Sequence, residues 1–418
     1  MRNPSVEKQR PGWNGVVTFG SSYHAALPAQ IAELGVVRVF LVGSRSLFST
    51  SPELQSIQEL LGDKLIGVKE GVGPQRSVLI DASDFSPLDD LLFIANEVKR
   101  LSIDCVVTLG GGSISDACKP VKIATANNAF ARENVLHLRA KVNLGTGEIG
   151  LPDRPLNSPS LKLICIPTSL SAGEYNPNSG SLDKQTGQKV RLYHPNAAPD
   201  VIICDPFITA KTPQWVWLST GIRSLDHAIE TLASLDVKRT AAVQESAERA
   251  LGLLIPGLLK SKEEDSSEAR DMCQRGAWEA SQAITHGIAL GGSHAIGHLL
   301  GSVGGVAHGY TSCVLLPAVM KYNYNVNKGR QMRIMEVLRS QGVLSMLGMT
   351  DSPEIQTWDV LSTLLKKLEM PRTLSDVGLT RDKWDRVAVG TLSDFWARTN
   401  PIPICTKEQV LEILELAA

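Results

Sequence analysis

The sequence predicts a doubly wound, parallel α/β domain followed by an all-helical domain, on three observations. Short β-branched runs alternate with helical patterns up to Pro206, long helical stretches follow one another beyond it, and the chain has 418 residues. A single core seldom grows past roughly 250–300 residues, so two domains are expected, at residues 1–206 and 207–418.

The strand candidates are RVFLVG (38–43), SVLIDAS (77–83), DCVVTLGGGS (104–113), LKLICIPTS (161–169) and DVIICDP (200–206). They are continuous Val/Ile/Leu runs bounded by Gly, Pro and Ser, the pattern of strands buried on both faces of a parallel sheet. Between them, YHAALPAQIAELG and DDLLFIANEVKRLS repeat apolar residues at three and four, as crossover helices do. In the second half, RTAAVQESAERALGLLIPGLLKS and EARDMCQRGAWEASQAITHGIAL read as helices. The stretch 145–160 is expected to be a surface loop.

Composition narrows the function classes. With 42 Lys plus Arg against 43 Asp plus Glu, the chain has no broad field to draw it to nucleic acid or an anionic membrane. The seven cysteines are scattered, odd in number and without CxxC spacing, which argues for reduced thiols in a cytoplasmic protein and against a disulfide framework. The first residues, MRNPSVEKQRPGW, have no apolar stretch of the kind a secretory signal needs.

Two loops suggest a phosphate cradle. The strand DCVVTL runs into Gly110, Gly111, Gly112 and Ser113 and then a helical pattern, so backbone N–H groups and a helix N-terminus would meet a pyrophosphate. A glycine triplet also serves as a plain tight turn. The second loop, with Thr168, Ser169 and Ser171, follows the next buried strand and would approach the same ligand, since ligands of open α/β sheets collect at strand carboxyl ends. After the first strand stand Ser44 and Arg45, where an acidic residue would have favoured NAD, so NADP is expected to be accepted or preferred. Lys189 and Arg191 are further candidates for anion contact, although solvated surface charge is their commoner fate.

Among eight histidines, four form a pattern. Arg223 and His227 are four apart on one helix face, His294 and His298 four apart on another helix, and His308 follows a Gly-rich turn. Imidazoles converging from separate helices are a usual way to build a transition-metal or proton-transfer site. His24, His137, His194 and His286 fall outside it.

In order along the chain, GGGS with Asp116, PTSLSAGE, GIRSLDHAIE and HAIGHLLGSVGGVAHGYTS resemble the iron-containing alcohol dehydrogenase superfamily, which shares the dehydroquinate synthase-like fold. The likeness implies an NAD(P)-dependent oxidoreductase, a small-molecule substrate in the cleft between the domains, and a homodimer. Metal-dependent members hold Fe or Zn with one aspartate and three histidines. Motif matching puts the histidines at His227, His294 and His308, but Arg223 at the aspartate. Asp226 points about 100° away from His227 on the helix and is no simple substitute. The maleylacetate reductase-like branch also departs at that position, so a metal-free enzyme is implied, reducing a C=C or C=O with Arg223 as electrophile and His298 or a neighbouring histidine as proton source. The alternatives are a metal-dependent alcohol dehydrogenase and a non-redox lyase or cyclase on the same scaffold.

Overall fold

The computed structural model describes residues 4–10, 13–44, 52–70, 88–143, 145–264 and 266–418. The expected strand at 77–83 and Arg45 lie outside them. The chain divides into two compact units. The first takes the described residues up to Lys141 together with Ile149–Thr212, and the second takes Val142–Glu148 and Pro213–Ala418.

The first unit opens with strands β1 (Ser5–Arg10) and β2 (Trp13–Phe19), helix α1 (Tyr23–Leu34), strand β3 (Val39–Gly43), helix α2 (Glu53–Leu61), strand β4 (Leu65–Glu70) and helix α3 (Leu88–Arg100). Strand β5 (Cys105–Gly110), helices α4 (Gly112–Ala126) and α5 (Arg132–Leu136), and the two-residue strands β6 (Lys141–Val142) and β7 (Ile149–Gly150) follow. Strands β8 (Lys162–Pro167), β9 (Asn178–Asp183), β10 (Gln188–Tyr193) and β11 (Val201–Cys204) complete it.

Seven strands form one sheet in the order β1-β2-β11-β8-β5-β3-β4. Every pairing is parallel except β1 with β2, so the sheet is mixed at one edge rather than wholly parallel. The runs read as strands are buried because helices cover the sheet: all residues of β3, β5 and β11 are buried. Register does the functional work. Gly43 stands beside Leu109 and Gly110 beside Pro167, so the loops after β3, β5 and β8 leave the same edge side by side.

At the opposite ends of these strands one carboxylate gathers two lysines, one buried and one partly exposed. Asp200 accepts from Lys122 Nζ at 2.7 Å, Lys162 Nζ at 3.1 Å and Leu163 N at 3.0 Å. Lys122 is almost wholly buried, and that burial pulls its ammonium below the ordinary lysine range despite the Asp200 partner.

The second unit contains only helices among its described regular elements, apart from its share of β6. They are α6 (Gln214–Ala233), α7 (Ala241–Glu263), α8 (Ser267–Ala280), α9 (Gln282–Thr285), α10 (Gly292–Ser302), α11 (His308–Ser340), α12 (Val343–Leu347), α13 (Thr357–Lys367), α14 (Trp384–Thr391) and α15 (Lys407–Leu416). Helix α6 is buried at every residue from Trp217 to Ala233 except Thr220. A helix without a solvent face belongs in a core, and its polar residues there must be paired with one another. No helix among the described residues is long and apolar enough to cross a membrane.

Replacing Asp200 with Ala strands Lys122 in the interior. A buried cation left without its partner costs about 3 kcal/mol or more. Urea unfolding of the variant is expected to show a loss of that size with an unchanged slope; a loss below about 1 kcal/mol would mean the ammonium finds water.

Candidate active site

In the first unit the phosphate loop is set by sterics. Gly110 has φ +156°, and a side chain there would meet Ile114 and Ser44. Gly111 precedes α4 in extended conformation, and the helix starts at Gly112. A Cβ on Gly112 would collide with Ser171 Oγ, and one on Gly111 would sit 3.2 Å from Ser169 Oγ. The two predicted loops and Ser44 thus meet at the N-terminus of α4, leaving bare backbone N–H groups where a pyrophosphate needs close approach. These residues fit a dinucleotide.

Lys119 fastens this arrangement, and it was not anticipated. Its fully buried Nζ donates to Gly173 O at 2.7 Å, Asn176 O at 3.1 Å and Asn178 O at 2.5 Å, and pairs with Asp116 Oδ1 at 2.6 Å. Asp116 and Lys119, one turn apart on α4, therefore hold the second loop against the first. Glu174, in that loop, is buried and pushed up to about 7, chiefly by desolvation. A lysine within the apolar ISDACKPVKIATA pattern was the available signal for Lys119. Thr168 takes part through the backbone, donating its N–H to Gly110 O at 3.0 Å. Ser113 lies in the first turn of α4. Lys189 and Arg191 stand on the β9–β10 hairpin, Lys189 laid across Gly180, rather than in the loop pair.

In the second unit, α6 carries Arg223, Asp226, His227 and Glu230, all buried. Glu230 organises the neighbouring helix: its carboxylate accepts from Gly291 N at 2.9 Å and Ser293 N at 2.8 Å, at the start of α10, and lies 2.8 Å from His294 Nδ1. A carboxylate at a helix N-terminus takes up orphan N–H groups and meets the positive end of the dipole. Asp226 accepts from Ser293 Oγ at 2.6 Å and lies 3.5 Å from His294 Nδ1. With Nδ1 against carboxylates, His294 keeps its proton there and leaves Nε2, which has no partner, as the open nitrogen.

The imidazoles come together as the spacing suggested. His227 stacks on His294 at 4.7 Å between centroids, and His298 on His308 at 6.2 Å. Trp396 joins the pairs, edge-on to His294 at 5.6 Å and stacked with His298 at 5.6 Å. His298 Nδ1 lies 2.8 Å from Asp394 Oδ2, whose other oxygen accepts from Trp396 N. Asp394 and Trp396 come from the distant segment TLSDFWART, which carries no spacing signal tying it to the histidines. Of the four histidines set aside, His24 Nε2 lies 2.9 Å from Ser56 Oγ, His194 accepts from Asn196 N, and His286 Nδ1 lies 2.8 Å from Gln282 O.

Electrostatics follow from burial. His227 and His294 are held well below the ordinary histidine range by desolvation first and by the Arg223 guanidinium second, so both are neutral near pH 7. Asp226 is raised to about 6 by burial, against the pull of Ser293, Ser312 and Arg223. Glu230 is raised to about 8 by burial and by Asp226, an upward pressure opposed by its three N–H donors.

The fit to a metal is poor. Among the described residues, the group of three donor atoms mutually within 4.8 Å is Asp226, Glu230 and His294, not His227, His294 and His308. Those carboxylates are already engaged in supporting His294 and α10. A divalent ion roughly 4 Å from a guanidinium would meet a repulsion on the order of 8 kcal/mol at an effective dielectric of about 20.

Residues 14–206 match the family of iron-containing alcohol dehydrogenases, and residues 217–418 match its C-terminal domain. The chain belongs to this family. It is therefore an NAD(P)-dependent oxidoreductase acting on a small molecule. Among curated relatives, the dehydrogenase ALT3 of Alternaria alternata is 29% identical over 404 residues, covering 92% of this chain and 99% of that protein. Among solved structures, a 1,3-propanediol oxidoreductase superposes with a TM-score of 0.79 at 21% identity, covering all of both chains. The maleylacetate reductase of Agrobacterium tumefaciens gives 0.71 at 22%, covering 96% of this chain and 95% of that one. At such identities the structural likeness speaks to the fold.

Gly112→Val places a branched side chain where the two loops touch. NADPH affinity, read by quenching of tryptophan fluorescence, is expected to fall at least tenfold while the circular dichroism spectrum is retained. Undiminished affinity would move the pyrophosphate away from this loop.

Proposed function

We propose that this oxidoreductase uses NADPH or NADH to reduce a C=C or C=O bond of a small carboxylate- or enol-bearing substrate, in the manner of a maleylacetate reductase, and without a metal. The observation that carries the reading is the buried Arg223 guanidinium among neutral imidazoles, at the place where the metal-dependent members' aspartate is expected. The same reading takes the enzyme as a cytoplasmic homodimer, the compartment being supported by seven cysteines that are all free thiols.

The nicotinamide cofactor, when bound, supplies the hydride. Ser44, Gly110 to Ser113, Thr168, Ser169 and Ser171 would hold it, with Asp116 fixing the second loop through Lys119. Arg223 offers a forked donor set to a substrate carboxylate or to the enolate oxygen on which charge develops as hydride adds to carbon. Neutral His227 and His294 add donors and acceptors without a competing charge. His298, oriented by Asp394, passes a proton to the enolate carbon or, in a carbonyl reduction, to the alkoxide oxygen. Hydride and proton together account for the two hydrogens gained.

A second reading, reduction of simple aldehydes or ketones, is favoured by the dehydrogenase and lactaldehyde reductase relatives. Elemental analysis of the purified enzyme, with NADPH oxidation on maleylacetate and on simple ketones before and after chelator treatment, separates the two. Metal-free turnover of maleylacetate is expected; stoichiometric iron or zinc with chelator-sensitive activity overturns the proposal.

Arg223→Ala is expected to lower kcat/KM on the carboxylate substrate by about 10²–10³, the size of losing a preorganised charge-stabilising donor, with Arg223→Lys losing less. Equal activity of the alanine variant would remove the guanidinium from the chemistry. Asp394→Asn is expected to reduce kcat while leaving KM within about twofold and to move the alkaline limb of the pH–rate profile to lower pH, because His298 donates the proton and loses the carboxylate that favours its protonated form.

A further inference from the structure

A second polar pocket lies in the helical unit, where α11 bends. Asn327 has non-helical torsions (φ −115°, ψ 24°), and its side chain donates to Ala233 O, at the end of α6, at 3.0 Å. Gln331 Nε2 reaches back to Met320 O at 2.7 Å and to Asn327 Oδ1 at 2.9 Å. In a straight helix residues eleven apart are separated by roughly 16 Å, so these bonds fix a sharp bend.

Beside the bend opens a pocket of about 410 Å³ whose lining includes Arg239, Arg330 and Arg333, with Leu235 and Val326 as its exposed apolar wall and no carboxylate among its lining residues. Arg333 is satisfied outside the pocket, forked onto Glu248 at 3.0 Å and 3.0 Å. Glu248 also accepts from Gln244 at 2.9 Å, so its oxygens are committed. Arg330 has no acidic partner among the described residues. The Arg239 side chain is partly buried, donates over a long 3.5 Å to Leu232 O, and keeps its buried Nε without a hydrogen-bond partner among the described residues. Desolvation and the nearby Arg330 charge lower its ordinary basicity, against an opposing pull from the Glu248 carboxylate. The two guanidiniums repel each other, and the one carboxylate that acts on Arg239, Glu248, is already forked by Arg333, so an oxyanion is the group whose planar or tetrahedral oxygens match their free forks.

We propose that this pocket binds a small oxyanion-bearing molecule, a phosphate or polycarboxylate with an apolar portion against Leu235 and Val326, at a site separate from the catalytic histidines. Its volume suits a small metabolite.

The test is calorimetric titration of the full-length enzyme, saturated with NADPH so that the cofactor loops are filled, with inorganic pyrophosphate and, separately, citrate. Saturable binding of at least one, weakened by added salt, at least tenfold weaker in Arg239→Gln and in Arg330→Glu, with NADPH affinity unchanged, is the expected result. The stronger ligand tells phosphate from carboxylate. Arg330 is exposed, so its variant keeps the test alive if Arg239→Gln unfolds. No binding of either anion, or binding indifferent to both substitutions, overturns the proposal. So does an Arg330→Glu variant that alters particle mass in light scattering without altering anion binding, which would make this face a contact between copies.

Discussion

Glu230 is the interaction on which the histidine cluster of the helical unit depends. It sits on a helix with almost no solvent face, where a carboxylate is tolerated only if its oxygens are fully engaged. Two of its partners are the amides of Gly291 and Ser293, at the start of α10, and the third is His294 Nδ1. One side chain therefore anchors α6 to α10, sets the direction of α10, and fixes which nitrogen of His294 is left open. Truncating it would cost more than a hydrogen bond, since the helix terminus, the imidazole and the Asp226–Ser293 pair all lose their common reference.

The same burial decides the electrostatics. Desolvation raises the two carboxylates and lowers the two imidazoles, and Arg223 acts on both sets in the direction that keeps the cluster mutually compatible: it favours ionised Asp226 and disfavours imidazolium at His227 and His294. A divalent ion would need the opposite environment, with carboxylates turned toward it and no fixed cation beside it. Here Asp226 and Glu230 serve as supports for an imidazole, which explains how a helix carrying so many acidic and basic residues remains in a core.

Strands β3, β5, β8 and β11 and the helices read between them were legible because burial on both faces leaves an unbroken apolar run, as in VVTL and LICI, and a crossover helix leaves a three-and-four repeat. Strands β1, β9 and β10 were not, because edge and hairpin strands in polar sequence leave neither mark, and β2 and β4, each with a glycine or polar residues breaking its apolar run, were missed as well. The histidine set was legible from i,i+4 spacing within single helices. Glu230 was hidden for the converse reason: its partners lie more than 60 residues away, and in the sequence it is one more acid on a helix. Asp394 reaches His298 across 96 residues from a stretch with no repeat. Lys119 had a local cue, a charge in an apolar helix, but its carbonyl acceptors come from the next loop and no periodicity announces them.

The bend of α11 ties these observations together. Asn327 bonds to the last carbonyl of α6, ten residues and so roughly 15 Å along that helix from Arg223. Arg239 also donates to the end of α6, at Leu232. Whatever fills the arginine pocket therefore touches the terminus of the helix that carries Arg223. Contact alone transmits nothing: an anion there shifts catalysis only by as much as it binds one arrangement of that terminus better than another. The hydrogen bonds of Asn327 and Gln331 hold a single arrangement, so the structure favours an anion that stiffens the end of α6 over one that switches it. Such a ligand would act on thermal stability before it acted on turnover, and the two readouts together distinguish a brace from a switch.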